Sequence, residues 1–219
     1  MYLAIFIALM VFSLIVQMML ESRFAKYSKV GINMSGAEVA AKMLHDNGVD
    51  VQIQSVKGKL TDHYNPVDKT INLSENVFSQ RNIAAAAVAA HETGHCLQHA
   101  SGYLPLKMRS ALVPVVTFSN AIVMWVLLIG VLTIEIFPHL IWIGIGLFAM
   151  TTLFSFITLP VEIDASRRAI AWLRASGLAD EVTLPMAQDA LKWAAYTYVI
   201  AALSSLATLL YYIGIARSK

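Results

Sequence analysis

Charge and cysteine are the two things this chain has least of. Of its 219 residues only 14% are Asp, Glu, Lys or Arg, and Cys96 is the single cysteine. A soluble globular domain carries about 25% charged residues, so an ordinary water-exposed surface over the whole chain is excluded. One cysteine excludes an intramolecular disulfide, which agrees with a reducing, cytoplasmic face. The net charge is only +2, and no basic cluster offers a nucleic-acid footprint. Internal repeats and low-complexity tracts are absent as well.

What is there instead is apolar: 58% of the residues are hydrophobic. Charge is missing altogether from Met1–Leu20, Ser110–Ile134, Ile136–Val161 and Trp193–Ala216. Each run reaches the roughly 20 residues a bilayer core requires, which predicts an integral membrane protein with four transmembrane helices. The first run has no basic residue before it and no small-x-small site after it, so it is expected to stay as an anchor. Arg23, Lys26 and Lys29 follow it directly and place the next segment in the cytoplasm. Lys107 and Arg109 before the second run, and Arg167, Arg168 and Arg174 after the third, fall on the same predicted inside. The short turn holding Glu135, Pro138 and His139 suits the outside. The tail Arg217-Ser-Lys219 would also lie outside, against the weight of its charges.

The long polar stretch, residues 21–109, carries its own local signals. Ser35 and Glu38 form a capping box, and the helix it starts should stop at Asn47-Gly48. Val51–Val56 and Thr70–Ser74 alternate with period two and read as strands, with Leu60–Asn65 as a further strand between them. Ser79 is the expected cap of a following helix, and Ser101-Gly102 its end. That helix contains the alanine-rich run Ile83–Ala90, which favours helix, and then His91-Glu92-Thr93-Gly94-His95.

H-E-x-x-H on a helix has a mechanical meaning. Positions i and i+4 share one face, so His91 and His95 can reach one zinc ion with Glu92 beside them as general base. Cys96 falls off that face and reads as a small buried hydrophobe. A catalytic zinc needs a third protein ligand and an open position. His99 continues the i+4 series but lies about 12 Å along the helix from His91, too far for bonds of about 2 Å. The longer H-E-x-x-H-x-x-G-x-x-H pattern is absent. The acidic candidates lie just after the third apolar run, in Leu159-Pro160-Val-Glu162-Ile-Asp164-Ala-Ser166-Arg167-Arg168. Pro160 is expected to start a new helix, with Glu162 in its first turn, the gluzincin plan of two His on one helix and a Glu on another. Asp164 then faces elsewhere, as a supporting residue.

The HETGH stretch, Thr61-Asp-His63-Tyr64 upstream and Pro160–Arg168 downstream resemble the YugP-type membrane zinc metallopeptidases, relatives of the HtpX and CaaX-prenyl-protease group, over almost the whole chain. The resemblance implies Zn2+ as cofactor, His91, His95 and Glu162 as its ligands, and Glu92 as the catalytic glutamate. The wider group often has Asp four residues after the ligand Glu; here that position is Ser166, so either Ser166 or Asp164 is expected to support a ligand histidine.

The fold expected is mostly α: an anchor over 1–20, an α+β metalloprotease region over 21–109, two transmembrane helices over 110–161, a helix with the third ligand and a connector over 162–192, and a final transmembrane helix with a short tail over 193–219. The function expected is a zinc-dependent endopeptidase of a cell inner or plasma membrane. Its active site faces the cytoplasm, and it cuts membrane or membrane-proximal proteins with Glu92 as base toward a zinc-activated water. His63, Tyr64, His99, Arg167 and Arg168 are candidates for stabilising the oxyanion, and the Thr70–Ser74 strand is a candidate edge for an extended substrate. The rival readings are a membrane scaffold with a structural metal site and a signalling protein. An intact Glu92 argues against the former, since a structural site needs no base.

Overall fold

The computed structural model describes residues 2–218; Met1 and Lys219, which begin the first predicted span and end the predicted tail, lie outside them. The elements are α1 (Tyr2–Tyr27), α2 (Gly36–Asp46), β1 (Gln52–Val56), β2 (His63–Asn65), β3 (Thr70–Ser74), α3 (Glu75–Phe78), α4 (Ile83–Ala100), α5 (Leu104–Leu132), α6 (Pro138–Ala175) and α7 (Thr183–Arg217). The protein is thus mostly helical with one small sheet, and α1, α5, α6 and α7 are long and apolar enough to cross a membrane.

These helices outrun the apolar runs that announce them. The 38 residues of α6 extend about 57 Å, nearly twice a bilayer core of about 30 Å. The chain divides accordingly into two compact units. Among the described residues, one comprises 2–15, Lys107–Pro160 and 197–218. In it α5 and α6 pack closely: a Cβ on Gly130 would lie 2.8 Å from the Cα of Ile141, and one on Gly144 2.7 Å from Leu127. Small residues that let backbones approach are how helices associate without water to drive them. The hydroxyls here find partners, Thr151 on Asn120 at 2.9 Å and Ser205 on Thr152 at 2.7 Å. Large apolar side chains such as Met124, Trp125 and Phe118 stay exposed, the surface a lipid solvent requires.

The second unit comprises Val16–Leu106 and Val161–Tyr196, so the ends of α1, α6 and α7 fold together with the polar stretch. Their residues Tyr27, Ala169, Leu173, Ala187 and Leu191 share one buried cluster with Val39, Met43, Ile71, Leu73 and the alanines of α4. The capping box forms, with Glu38 N–H on Ser35 Oγ at 3.3 Å and Ser35 N–H on Glu38 Oε2 at 2.7 Å, and α2 ends at Asn47.

Several local expectations are corrected. Ser79 does not cap the metal-motif helix; it closes α3, its hydroxyl bonding back to Glu75 O at 3.0 Å. The cap is Asn82, whose Oδ1 accepts from Ala85 N–H at 2.9 Å. The strand expected over Leu60–Asn65 shrinks to His63–Asn65, because Leu60 turns with φ +57° and Asp62 is spent on Ser74, accepting from its N–H at 2.7 Å. β3 is no edge: the sheet order is β1-β3-β2, with β1 parallel and β2 antiparallel to it, and every residue of β3 is buried. Nor does Pro160 start a helix. α6 runs through it unbroken, as spanning helices can when neighbouring groups take up the freed carbonyl.

Candidate metal centre

Two helices build the centre, and a glycine sets their distance. α4 presents His91 and His95 one turn apart, and Gly94 between them lies against α6, where a Cβ would come within 2.6 Å of Ala165 O. On α6, Glu162, Ala165, Ser166 and Ala169 fall at i, i+3, i+4 and i+7 and form one face. Ala165 therefore meets Gly94 while Glu162, one turn earlier, faces both histidines.

Glu162 Oε2 lies 3.3 Å from His91 Nε2 and 3.6 Å from His95 Nε2, and Glu162 is buried. One ligand atom from each of the three residues lies within 4.8 Å of the others. Tetrahedral zinc with bonds of 2.0–2.1 Å sets its donors about 3.4 Å apart, so the spacing and the His2Glu donor chemistry both fit that ion.

The far sides of the rings are also occupied. His91 Nδ1 meets Ser166 Oγ at 3.1 Å. His95 Nδ1 meets Gln98 Oε1 at 3.1 Å, while Gln98 Nε2 donates to Val161 O at 2.7 Å and to Asp164 Oδ2 at 2.9 Å. Two acceptors on its nitrogen leave the Gln98 oxygen to face the ring, so His95 Nδ1 carries the proton and donates it. The Nε2 lone pair of the neutral ring then points at a carboxylate oxygen, an arrangement that needs a cation or a proton between them. Burial works against a charged His95, yet the Glu162 hydrogen bond, followed by the Glu92 and Glu162 charges, holds its pKa above the ordinary value. The pocket is built to hold positive charge.

Glu92 is buried beside the cluster, and its Oε2 accepts the Tyr64 backbone N–H at 3.1 Å. β2 thus anchors that carboxylate. The Tyr64 phenol is pushed up to about 12 by burial, then by the neighbouring Cys96, so its O–H stays protonated, and it is paired with His99 Nδ1 at 2.8 Å. Burial likewise pushes the Cys96 thiol up to about 11. His99 belongs to this Tyr64 pair and not to the donor cluster. His63 is exposed, with Nδ1 2.8 Å from Thr61 O. Arg167 is exposed as well, whereas Arg168 Nε pairs with Asp164 Oδ2 at 2.7 Å. Among the described residues no contact joins His63 or Arg167 to the cluster. The residue the sequence does not advertise is Gln98, whose one signal is its place three positions after His95 on the same helix.

The profile of a protein family described as "Putative neutral zinc metallopeptidase" matches residues 2–217. The chain belongs to this zinc metallopeptidase family. A relative called "Putative membrane protease YugP", from Bacillus subtilis (strain 168), is 41% identical over 202 residues, which cover 91% of this chain and 89% of that one. No solved structure matches. For this member of the family, the cofactor is zinc, and His91, His95 and Glu162 form a cluster able to take it.

Proposed function

We propose that this family member is a membrane-embedded endopeptidase in which His91, His95 and Glu162 hold zinc and Glu92 is the general base. The observation that carries the reading is the placement of Glu92: next to the donor cluster, yet hydrogen-bonded by β2 and not part of it. A structural site has no use for a buried carboxylate held so.

Bound zinc supplies a Lewis acid that brings the pKa of water toward about 7 and polarises a carbonyl. The protein's own groups do the rest. Ser166 and Gln98 fix the two rings so that their Nε2 atoms face inward. Glu92 takes a proton from the attacking water and hands it to the leaving amine; the Tyr64 N–H keeps the carboxylate aimed throughout. β2 is an outer strand of the sheet and lies against α4 with its Tyr64 N–H on Glu92, so an extended substrate that follows β2 would run past Glu92. Membrane or membrane-proximal proteins are the substrates this setting favours, since Glu162 shares one helix with an apolar span. The basic residues flanking the spans favour a cytoplasmic active site in a cell inner or plasma membrane.

The test is a pair of variants on the full-length protein. Glu92→Gln should keep its zinc and lose cleavage of casein or a membrane-protein substrate by about 10³-fold or more. Glu162→Ala should lose the zinc itself. Wild type that holds zinc but cleaves nothing across a broad peptide library would point to a scaffold with a structural metal and overturn the proposal.

A further inference from the structure

A groove of about 410 Å³ runs along α6 and α7, with no acidic residue in its lining. Its cations are Arg167 and Arg174 on α6 and Lys192 on α7; its apolar floor includes Ile163, Leu191 and Ala195. Among the described residues none of the three cations makes an ion pair. Lys192 only overlies the Tyr196 ring, at 5.7 Å. Of the nearby acids, Asp189 is committed to Arg23 and Tyr27, and Asp164 is bonded to Arg168 and Gln98, with Arg167 acting on it only at longer range.

The position of these cations along the chain is as informative as their sign. The third apolar run ends at Val161, and Arg167 follows by six residues. The fourth begins at Trp193, directly after Lys192. Along the chain, Arg167 and Lys192 therefore each lie just outside an apolar run, where a spanning helix meets lipid headgroups, and Arg174 lies two turns further out. Arg167 and Arg174 are seven residues apart, two turns on one face of α6, and Lys192 and Ala195 share a face of α7.

We infer that this groove is a binding site for an anionic phospholipid. Its phosphate is taken by Arg167, Arg174 and Lys192, and the upper part of an acyl chain lies along Ile163, Leu191 and Ala195. Basic pockets between membrane helices bind anionic headgroups in this way, each cation contributing about 1 kcal/mol near the surface. The apolar floor is what separates a lipid from a soluble phosphate, and three unpaired cations are what separate an anionic lipid from a zwitterionic one.

The experiment uses the full-length protein in phosphatidylcholine nanodiscs doped with phosphatidylglycerol, with bound lipid counted by native mass spectrometry. Wild type should retain phosphatidylglycerol in preference to phosphatidylcholine. Arg167→Gln, Arg174→Gln and Lys192→Gln should each weaken that retention about fivefold and together about a hundredfold, while Lys57→Gln/Lys69→Gln leaves it unchanged. Should the triple variant misfold, judged by its zinc content and circular dichroism, the three single variants decide. Equal retention by wild type and these variants overturns the inference. So does displacement of the lipid by an equal concentration of inorganic phosphate or glycerol 3-phosphate, which would make the groove a soluble-phosphate site. Tighter binding of a polyglutamate peptide to the same three cations would make it a peptide site.

Discussion

Gln98 shows how much one uncharged side chain can decide. It is fully buried, and all three of its hydrogen bonds go to groups that matter: Val161 O, Asp164 and His95. Replacing it by Leu keeps the approximate volume but frees the His95 ring to turn and leaves Asp164 a partner short. Groups that orient a metal-bound histidine are worth about 10–100-fold in affinity, so zinc affinity of Gln98→Leu, measured by chelator competition, should fall within that range. Unchanged affinity would show that the ring is held by packing alone. Cys96 offers a second test at this scale. With its pKa near 11 the thiol is protonated below that pH, and the thiolate, the reactive form, grows only as pH rises toward it. Folded protein at pH 8 should therefore resist a thiol reagent that labels the denatured chain at once. His91, Glu92 and His95 are legible in the sequence because spacing on a helix is a local property. Gln98 and Ser166 are not, because their roles exist only where α4 meets α6.

The element that sets the site is the crossing of those two helices. Gly94 reads in the sequence as one of the free positions of H-E-x-x-H, yet it is where the backbones touch. In Gly94→Ala the new methyl would meet Ala165 O at 2.6 Å, and backbone cannot swing aside as a side chain can. Overpacking of this kind costs about 1–3 kcal/mol, and the shift that relieves it carries Glu162 away from the histidines. We expect a lower melting temperature together with weaker zinc binding. Gly146→Ala is the control: it lies in α6 with nothing within 4 Å of the added Cβ, and it should be neutral or stabilising by up to about 1 kcal/mol, the helix-propensity gain. A Gly94→Ala protein with normal zinc affinity would mean that α6 does not depend on this contact. The same crossing explains why Pro160 misleads. In isolation it is a helix-start signal, but α6 runs through it unbroken, and Glu162 reaches the centre by its register on a long helix, not by a fresh N-terminal turn.

At the scale of the whole molecule, the four spans are plain from composition, since long uncharged runs have few other uses. Less visible is that the polar stretch cannot close its own core. The faces it borrows from α6 and α7 are largely alanine, Ala165, Ala169, Ala187 and Ala190, and alanine carries little hydrophobic signal in a pattern. Yet Leu173, Leu184 and Leu191 sit in one cluster with Val39, Met43, Ile71 and Leu73, and burying a leucine is worth about 1.5–3 kcal/mol. A segment of residues 21–109 would expose the matching surface on α2, β3 and α4 and would also lack Glu162. Small domains are marginal even with a complete core, with net stabilities of about 5–15 kcal/mol. The excised segment should therefore show neither cooperative thermal unfolding nor tight zinc binding, whereas the full chain in detergent should show both. A segment that folds and holds zinc as well as the full chain would place the whole centre within the polar stretch and remove Glu162 from it.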